Sequence, residues 1–152
     1  MTEETGSPTG QITESQSQAV AALAFNYYQQ GKLHEAETLF RGLQLLDPQA
    51  YYSHAGMGAV ALAQSPPRLA DAYRHLTKAA ELNPDDPSVQ TNLGEVLLRQ
   101  AQPEEAAAHF KKAIELDPKQ QDPGAARARA IVSGLTALAG EVKRIRAASS
   151  AA

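Results

Sequence analysis

Apolar and small residues recur along this chain in steps of three and four, the spacing of one face of an α-helix. Leu23, Ala24 and Tyr27 form one such set, and Ala36 and Phe40 the next. The sets Met57, Gly58, Ala61 and Ala72, Leu76, Ala79 follow, then Leu93, Gly94, Leu97 and Ala106, Phe110, Ala113. Between the sets stand helix stops: Gly31, the pair Pro66-Pro67, and Asp or Asn before proline at 47–48, 83–84 and 117–118. Proline disfavours the α region in the residue before it, so each Asp/Asn-Pro pair ends one helix. The pattern predicts helices at about 15–30, 33–46, 49–64, 68–82, 86–100 and 103–116. A seventh, from Pro123 to about Ala148, has one apolar stripe: Ile131, Val132, Leu135, Leu138, Val142 and Ile145.

The stops are near copies of one another. Leu45-Leu46-Asp47-Pro48, Glu81-Leu82-Asn83-Pro84 and Glu115-Leu116-Asp117-Pro118 place their prolines 36 and then 34 residues apart. A helix-turn-helix unit of 34 residues is the tetratricopeptide period. The two additional residues of the second unit fall in its turn at Ser65-Pro66-Pro67, where lengthening a loop costs little. Ala24, Gly58 and Gly94 are small where the two helices of a unit must approach. Phe40, Leu76 and Phe110 are large where space must be filled. The expected fold is all-α: three tandem tetratricopeptide repeats in a right-handed superhelix, plus a C-terminal capping helix. The stripe of the seventh helix would cover the last exposed face, as the end of a repeat stack requires.

This divides the chain into a leader at 1–14, repeats at 15–118, and a capping helix with a short tail at 119–152. The leader, with Gly6, Pro8 and Gly10 among Ser, Thr and Gln, reads as flexible. It lacks the basic and apolar regions of a secretory signal. No run of about 18 apolar residues is present, so membrane insertion is not expected. The 152 residues carry a formal charge of −3, which argues against a nucleic-acid-binding surface. From Lys119 onward, however, six Lys/Arg stand against two Asp/Glu, a basic tail on an acidic body. There is no cysteine, hence neither disulfide nor thiolate metal site.

No constellation for chemistry is legible. His34, His54, His75 and His109 show no metal-ligand spacing, and His75 and His109 share one position of their repeats, which reads as a consensus surface position. Asp85-Asp86 and Glu104-Glu105 stand at helix starts, where carboxylates favour the positive end of the helix dipole. Phosphate loops, nucleophile elbows and Ser/His/Asp groupings cannot be placed. No catalytic residue, metal or cofactor is expected.

A binding surface is expected instead. In this repeat the first helix of each pair lines the concave side. The first repeat then presents Ala21, Phe25, Tyr28 and Gln29; the second, Tyr52, Ala55, Ala59 and Leu62; the third, Glu95 and Leu98, with Ser88, Thr91 and Arg99 beside them. Large apolar groups separated by alanines suit side chains of an extended protein or peptide client. Carboxylate-clamp recognition of a chain terminus is not expected, because Ala21 and Phe25 hold two of the positions that need cationic or amide donors and only Asn92 fits.

The stretch from Leu23 to Lys32, LAFNYYQQGK, resembles the first repeat of class II type III secretion chaperones, the translocator chaperones of the SycD/LcrH kind. The likeness continues through Glu35-Ala36, Phe40, Leu43, Leu46-Asp47, Tyr51-Tyr52 and Gly56-Met57-Gly58-Ala59. The resemblance implies a bacterial, cytoplasmic, non-catalytic chaperone. It would hold a short apolar, proline-containing segment of a translocator-like client in the groove, on Phe25 and Tyr28, with Tyr52, Ala55, Ala59 and Leu62 extending it. Members often dimerise through an additional helix before the first repeat, which the leader here does not offer, so a homodimer is left open. The alternative is a general bacterial tetratricopeptide scaffold joining components of an assembly.

Overall fold

A computed structural model describes residues 11–152; residues 1–10 of the expected leader lie outside them. Among the described residues the chain is all-α, with helices α1 (Glu14–Gln29), α2 (Leu33–Leu46), α3 (Tyr51–Ala63), α4 (Leu69–Leu82), α5 (Pro87–Arg99), α6 (Pro103–Glu115) and α7 (Pro123–Ser150). Every helix lies within about two residues of its expected span at both ends. The caps explain the boundaries. Thr13 and Gln16 form a reciprocal capping box that starts α1: the Gln16 N–H donates to Thr13 Oγ1 at 3.2 Å, and the Thr13 N–H to Gln16 Oε1 at 2.9 Å. Asp86 and Asp122 cap α5 and α7, each followed by proline at the first helical position. Asp47 and Asn83 end α2 and α4 in extended conformations, as residues before proline should.

The chain forms two compact units, one ending at Pro84 and one from Asp85 onward. In the first, α1 packs on α2 and α3, α2 on α3, and α3 on α4. Because α3 touches the three other helices at once, ten consecutive residues, Ser53 to Leu62, are buried. Such burial requires an α3 free of charge and rich in small residues. Ala24, Ala36, Phe40, Met57 and Val60 form the core cluster, with Phe25, Tyr27, Tyr28, Leu33 and Leu39 against its edge. After α3, Arg68 fixes the lengthened turn. Its guanidinium donates to Glu37 Oε1 at 2.9 Å and Gln64 Oε1 at 2.7 Å, and its backbone N–H to the Ala61 carbonyl at 2.9 Å.

In the second unit α5, α6 and α7 pack mutually around Leu97, Ala106, Phe110, Ala113 and Ala128. The end of α6 is tied to α7 by Arg129, which donates to the Asp117 backbone oxygen at 2.7 Å and to its Oδ2 at 2.9 Å. Asp117 Oδ1 also accepts from the Gln121 N–H at 2.9 Å. These bonds, the last-named first, hold the Asp117 carboxyl below its usual range.

The expected cap is shorter than the stripe. Only Gly124, Ala125 and Ala128 of α7 are buried, with Ile131 packed beside them. Beyond these, Val132, Leu135, Leu138, Val142 and Ile145 are exposed. The reason is length: α7 has 28 residues, about 42 Å, while α5 and α6 have 13 each, about 20 Å. Leu23, grouped with Ala24 and Tyr27 on one helix face, is 49% exposed.

The helices approach closely at glycine. A Cβ on Gly56 would sit 2.3 Å from two ring atoms of Phe40, one on Gly58 2.5 Å from Leu76 Cγ, and one on Gly94 2.5 Å from the Phe110 ring. Phe40 and Leu76 are fully buried and Phe110 is 1% exposed, so none can retreat. Gly42, on α2, has nothing within 4 Å of the same position. We expect Gly56→Ala to lose about 1–3 kcal/mol from overpacking, while Gly42→Ala gains up to about 1 kcal/mol from helix propensity. Urea unfolding of the two variants checks the opposite signs. A second comparison concerns backbone strain. Gly31 (φ 74°) and Ala101 (φ 60°) occupy the same turn between the two helices of their repeats. The left-handed region strains alanine by roughly 1–2 kcal/mol, so Ala101→Gly is expected to raise stability by about 1 kcal/mol in the same assay.

Candidate peptide-binding surfaces

In the first unit the α1 and α3 residues expected to bind fall into two groups. Ala21, Ala55, Ala59 and Leu62 are 5–8% exposed and offer almost no side-chain surface. Their smallness serves helix approach first. Phe25, Tyr28 and Tyr52 are half-buried, and Gln29 is exposed. Phe25 sets its ring edge-on to Phe40, with centroids 4.8 Å apart and planes at 72°. Tyr28 leans on the same core cluster. Tyr52 lies edge-on to Tyr51, centroids 5.6 Å apart, with its hydroxyl 3.5 Å from Glu14 Oε1. Burial raises the Tyr52 phenol above its ordinary value, and the charges of Glu14 and Asp47 add to the rise, so it remains a neutral donor. Each of these three aromatics is thus anchored at one side and partly open at the other, whereas the alanines and Leu62 are covered.

In the second unit the expected positions are engaged within the unit. Glu95 Oε1 accepts from Arg127 Nε of α7 at 2.7 Å. Arg127 also donates to Asn92. Thr91 is buried, its hydroxyl donating to the Gly124 carbonyl at 2.9 Å, and Ser88 lies where any side chain on Gly124 would have to go. Leu98 is half-buried against the Phe110 cluster, and Arg99 is exposed. Arg127 was not expected here. The basic C-terminal segment reads in the sequence as a solvated face, which gave no sign of it.

Residues 61–131 match the tetratricopeptide repeat family, spanning α4 to α6 and the start of α7. Over that stretch the chain is similar to tetratricopeptide repeats. No curated protein sequence matches it. Among solved structures, PcrH from Pseudomonas aeruginosa superposes with a TM-score of 0.68 at 28% identity, covering 82% of this chain and 95% of that one. PcrH in complex with the chaperone binding region of PopD gives 0.68 and 28%, covering 83% and 95%. The Yersinia enterocolitica type III secretion translocator chaperone SycD gives 0.66 over 81% and 92%, and at 24% identity it supports the fold alone. The resemblance read from the first repeat therefore holds in three dimensions.

The repeat histidines differ from their expected surface role. His75 is 6% exposed, its ring 6.0 Å from that of buried His54. His54 sits 3.1 Å from the Pro48 carbonyl through Nε2. His109 is half-buried, with Nδ1 2.8 Å from Gln90 Oε1. Burial pushes the His75 and His109 imidazoles below their ordinary value, and the charge of Arg74 or Lys112 pushes the same way. Among the described residues no group of three metal-ligating side chains occurs. His54, His75 and His109 belong to helix packing, while His34 is exposed.

The depressed values set the sign of the pH dependence. An unfolded histidine binds its proton near pH 6.5, whereas the folded one resists it. The stability contributed by neutral His75 is thus complete above about pH 6.5 and falls as pH drops below it. Thermal melts at pH 7.5 and 5.5 should show lower stability at 5.5. The difference should shrink in His75→Gln; an equal loss in the variant would remove His75 as its source.

Proposed function

We propose that this protein is a non-catalytic chaperone for type III secretion that holds an extended apolar segment of a translocator-like client. The observation that carries the reading is the likeness to PcrH at 28% identity over most of both chains, PcrH itself having been solved with the chaperone binding regions of PopB and PopD. The half-buried aromatic set Phe25, Tyr28 and Tyr52 on α1 and α3 supports it, because an aromatic fixed on one side loses little entropy on contact. Ala21, Ala55, Ala59 and Leu62 supply the floor beneath the client, and Gln29 a polar rim. Leu98 and Glu95 are the contacts proposed for the second unit. The client's apolar segment, made to enter a membrane, would otherwise aggregate. Among the described residues no helix is long and apolar enough to cross a membrane. A bacterial cytoplasmic site of action follows from this reading.

One observation favours the alternative of a general bacterial scaffold: the family match begins at residue 61, in the second repeat, and leaves the first repeat outside it. Co-expression separates the two readings. The wild-type chain should co-purify with a translocator-like protein encoded beside it and keep that protein soluble. Tyr28→Asp should weaken the complex by about 2 kcal/mol or more, roughly 30-fold in Kd, as expected for a desolvated aromatic anchor. Circular dichroism shows whether the variant is folded. A folded Tyr28→Asp that holds the client as tightly as wild type would sink the α1 surface. A wild-type chain that leaves the client insoluble would sink the chaperone reading itself.

A further inference from the structure

Beyond Val132 the apolar stripe of α7 is exposed among the described residues, and there it narrows to a single seam. Ile131, Leu135, Leu138, Val142 and Ile145 alternate steps of four and three. That is a heptad seam with Leu135 and Val142 at the a positions and Ile131, Leu138 and Ile145 at d. Leu135, Leu138, Val142 and Ile145 are 41%, 61%, 40% and 57% exposed. Seam-only apolar faces belong to coiled coils, whereas helices that lie on a membrane carry a broader face with large aromatics. Of the positions beside this seam, Gly134 at g and Ala139 at e are small, the former with open space around it, while Val132 at the first e position is apolar. Small flanking residues let a second helix come close.

We propose that two copies of this chain pair through α7 as a parallel, two-stranded coiled coil. The charges select both the occupant and the direction. Glu141 falls at g and Arg146 at e of the next heptad, five residues on. In a parallel in-register pair these meet across the seam, Glu141 of one copy with Arg146 of the other, twice by symmetry. An antiparallel pair with the same core layers sets Glu141 against Glu141 instead. Among the described residues Glu141 pairs with the exposed Arg144 at 2.9 Å, on the same helix. A helical extension of this length is marginal alone in water, and pairing supplies the burial it lacks. Two heptads bury well under the roughly 800 Å² per partner of a standard interface, so the dimer dissociates on dilution.

The absence of cysteine makes the test direct. In the full chain, Leu138→Cys at a d position should form an interchain disulfide under mild oxidation, while Ala147→Cys, on the outer face, should not. Sedimentation velocity should show concentration-dependent dimerisation that Leu138→Glu abolishes without loss of the repeat fold, read by thermal melting. Glu141→Arg alone, or Arg146→Glu alone, should weaken the dimer about fivefold, and the double variant should restore it. Monomers at every concentration with no Leu138→Cys crosslink would overturn the proposal. Equal crosslinking at residue 147, or a double variant no better than the singles, would overturn the parallel seam. Monomers that instead co-sediment with anionic phospholipid vesicles, and lose this in Leu138→Glu, would assign the stripe to a membrane surface and equally overturn pairing.

Discussion

The close approach of a glycine-bearing helix to a large side chain on its neighbour governs the rest of this structure. At Gly56, Gly58 and Gly94 the gap between helix backbones is filled by Phe40, Leu76 and Phe110, leaving no room for even one added carbon. The complementarity works in one direction only. A helix interior disfavours glycine by about 1 kcal/mol relative to alanine, and burial of a ring or a leucine returns more than that. The short interhelical distance then fixes which residues are covered. On α3, pressed on three sides within its unit, everything from Ser53 to Leu62 is buried, including residues that one-face periodicity would leave outside.

This same tightness decides what was legible from sequence. Helix spans were, because the Asp/Asn-Pro stops and the 34-residue period are local signals. The exposure of individual side chains was not. Alanines at 21, 55 and 59 and Leu62 have the spacing of an inner wall, yet small residues at that spacing serve helix approach as readily as a pocket, and here they are nearly covered. His75 looks polar and repeated, hence superficial, but its position on α4 places it against His54 of α3. Arg127 lay hidden among the basic residues of the C-terminal segment, since a charge run carries no mark of the one member with a fixed carboxylate partner. Periodicity tells which face a residue is on; it does not tell how far the next helix stands away.

The candidate surface follows from the same geometry. Because α1 touches α3 through small residues, the large side chains of α1 cannot all enter the core. Phe25 and Tyr28 are left with one side on Phe40 and its neighbours and the other side open. An aromatic in that position is held by its own fold, so a client does not have to order it. The same restraint makes it a poor reporter when truncated, because the core loses a contact along with the client. Phe25, stacked edge-on to Phe40, suffers from this more than Tyr28.

The two ends of the repeat pattern illustrate how a helical stack treats leftover apolar surface. At α1 the surplus is aromatic, short in extent, and seated at the margin of a packed cluster. At α7 the surplus is aliphatic and runs well beyond the helices that could cover it. Aromatics rooted in a core keep their conformation with or without a partner, which suits a site that takes up and releases an extended chain. An aliphatic seam on an unsupported helix gains its order only on association, and the alternation of four and three favours a partner that is itself a helix of the same period. The difference in chemistry between the two ends thus underlies the two proposals, an extended segment at one and a like helix at the other.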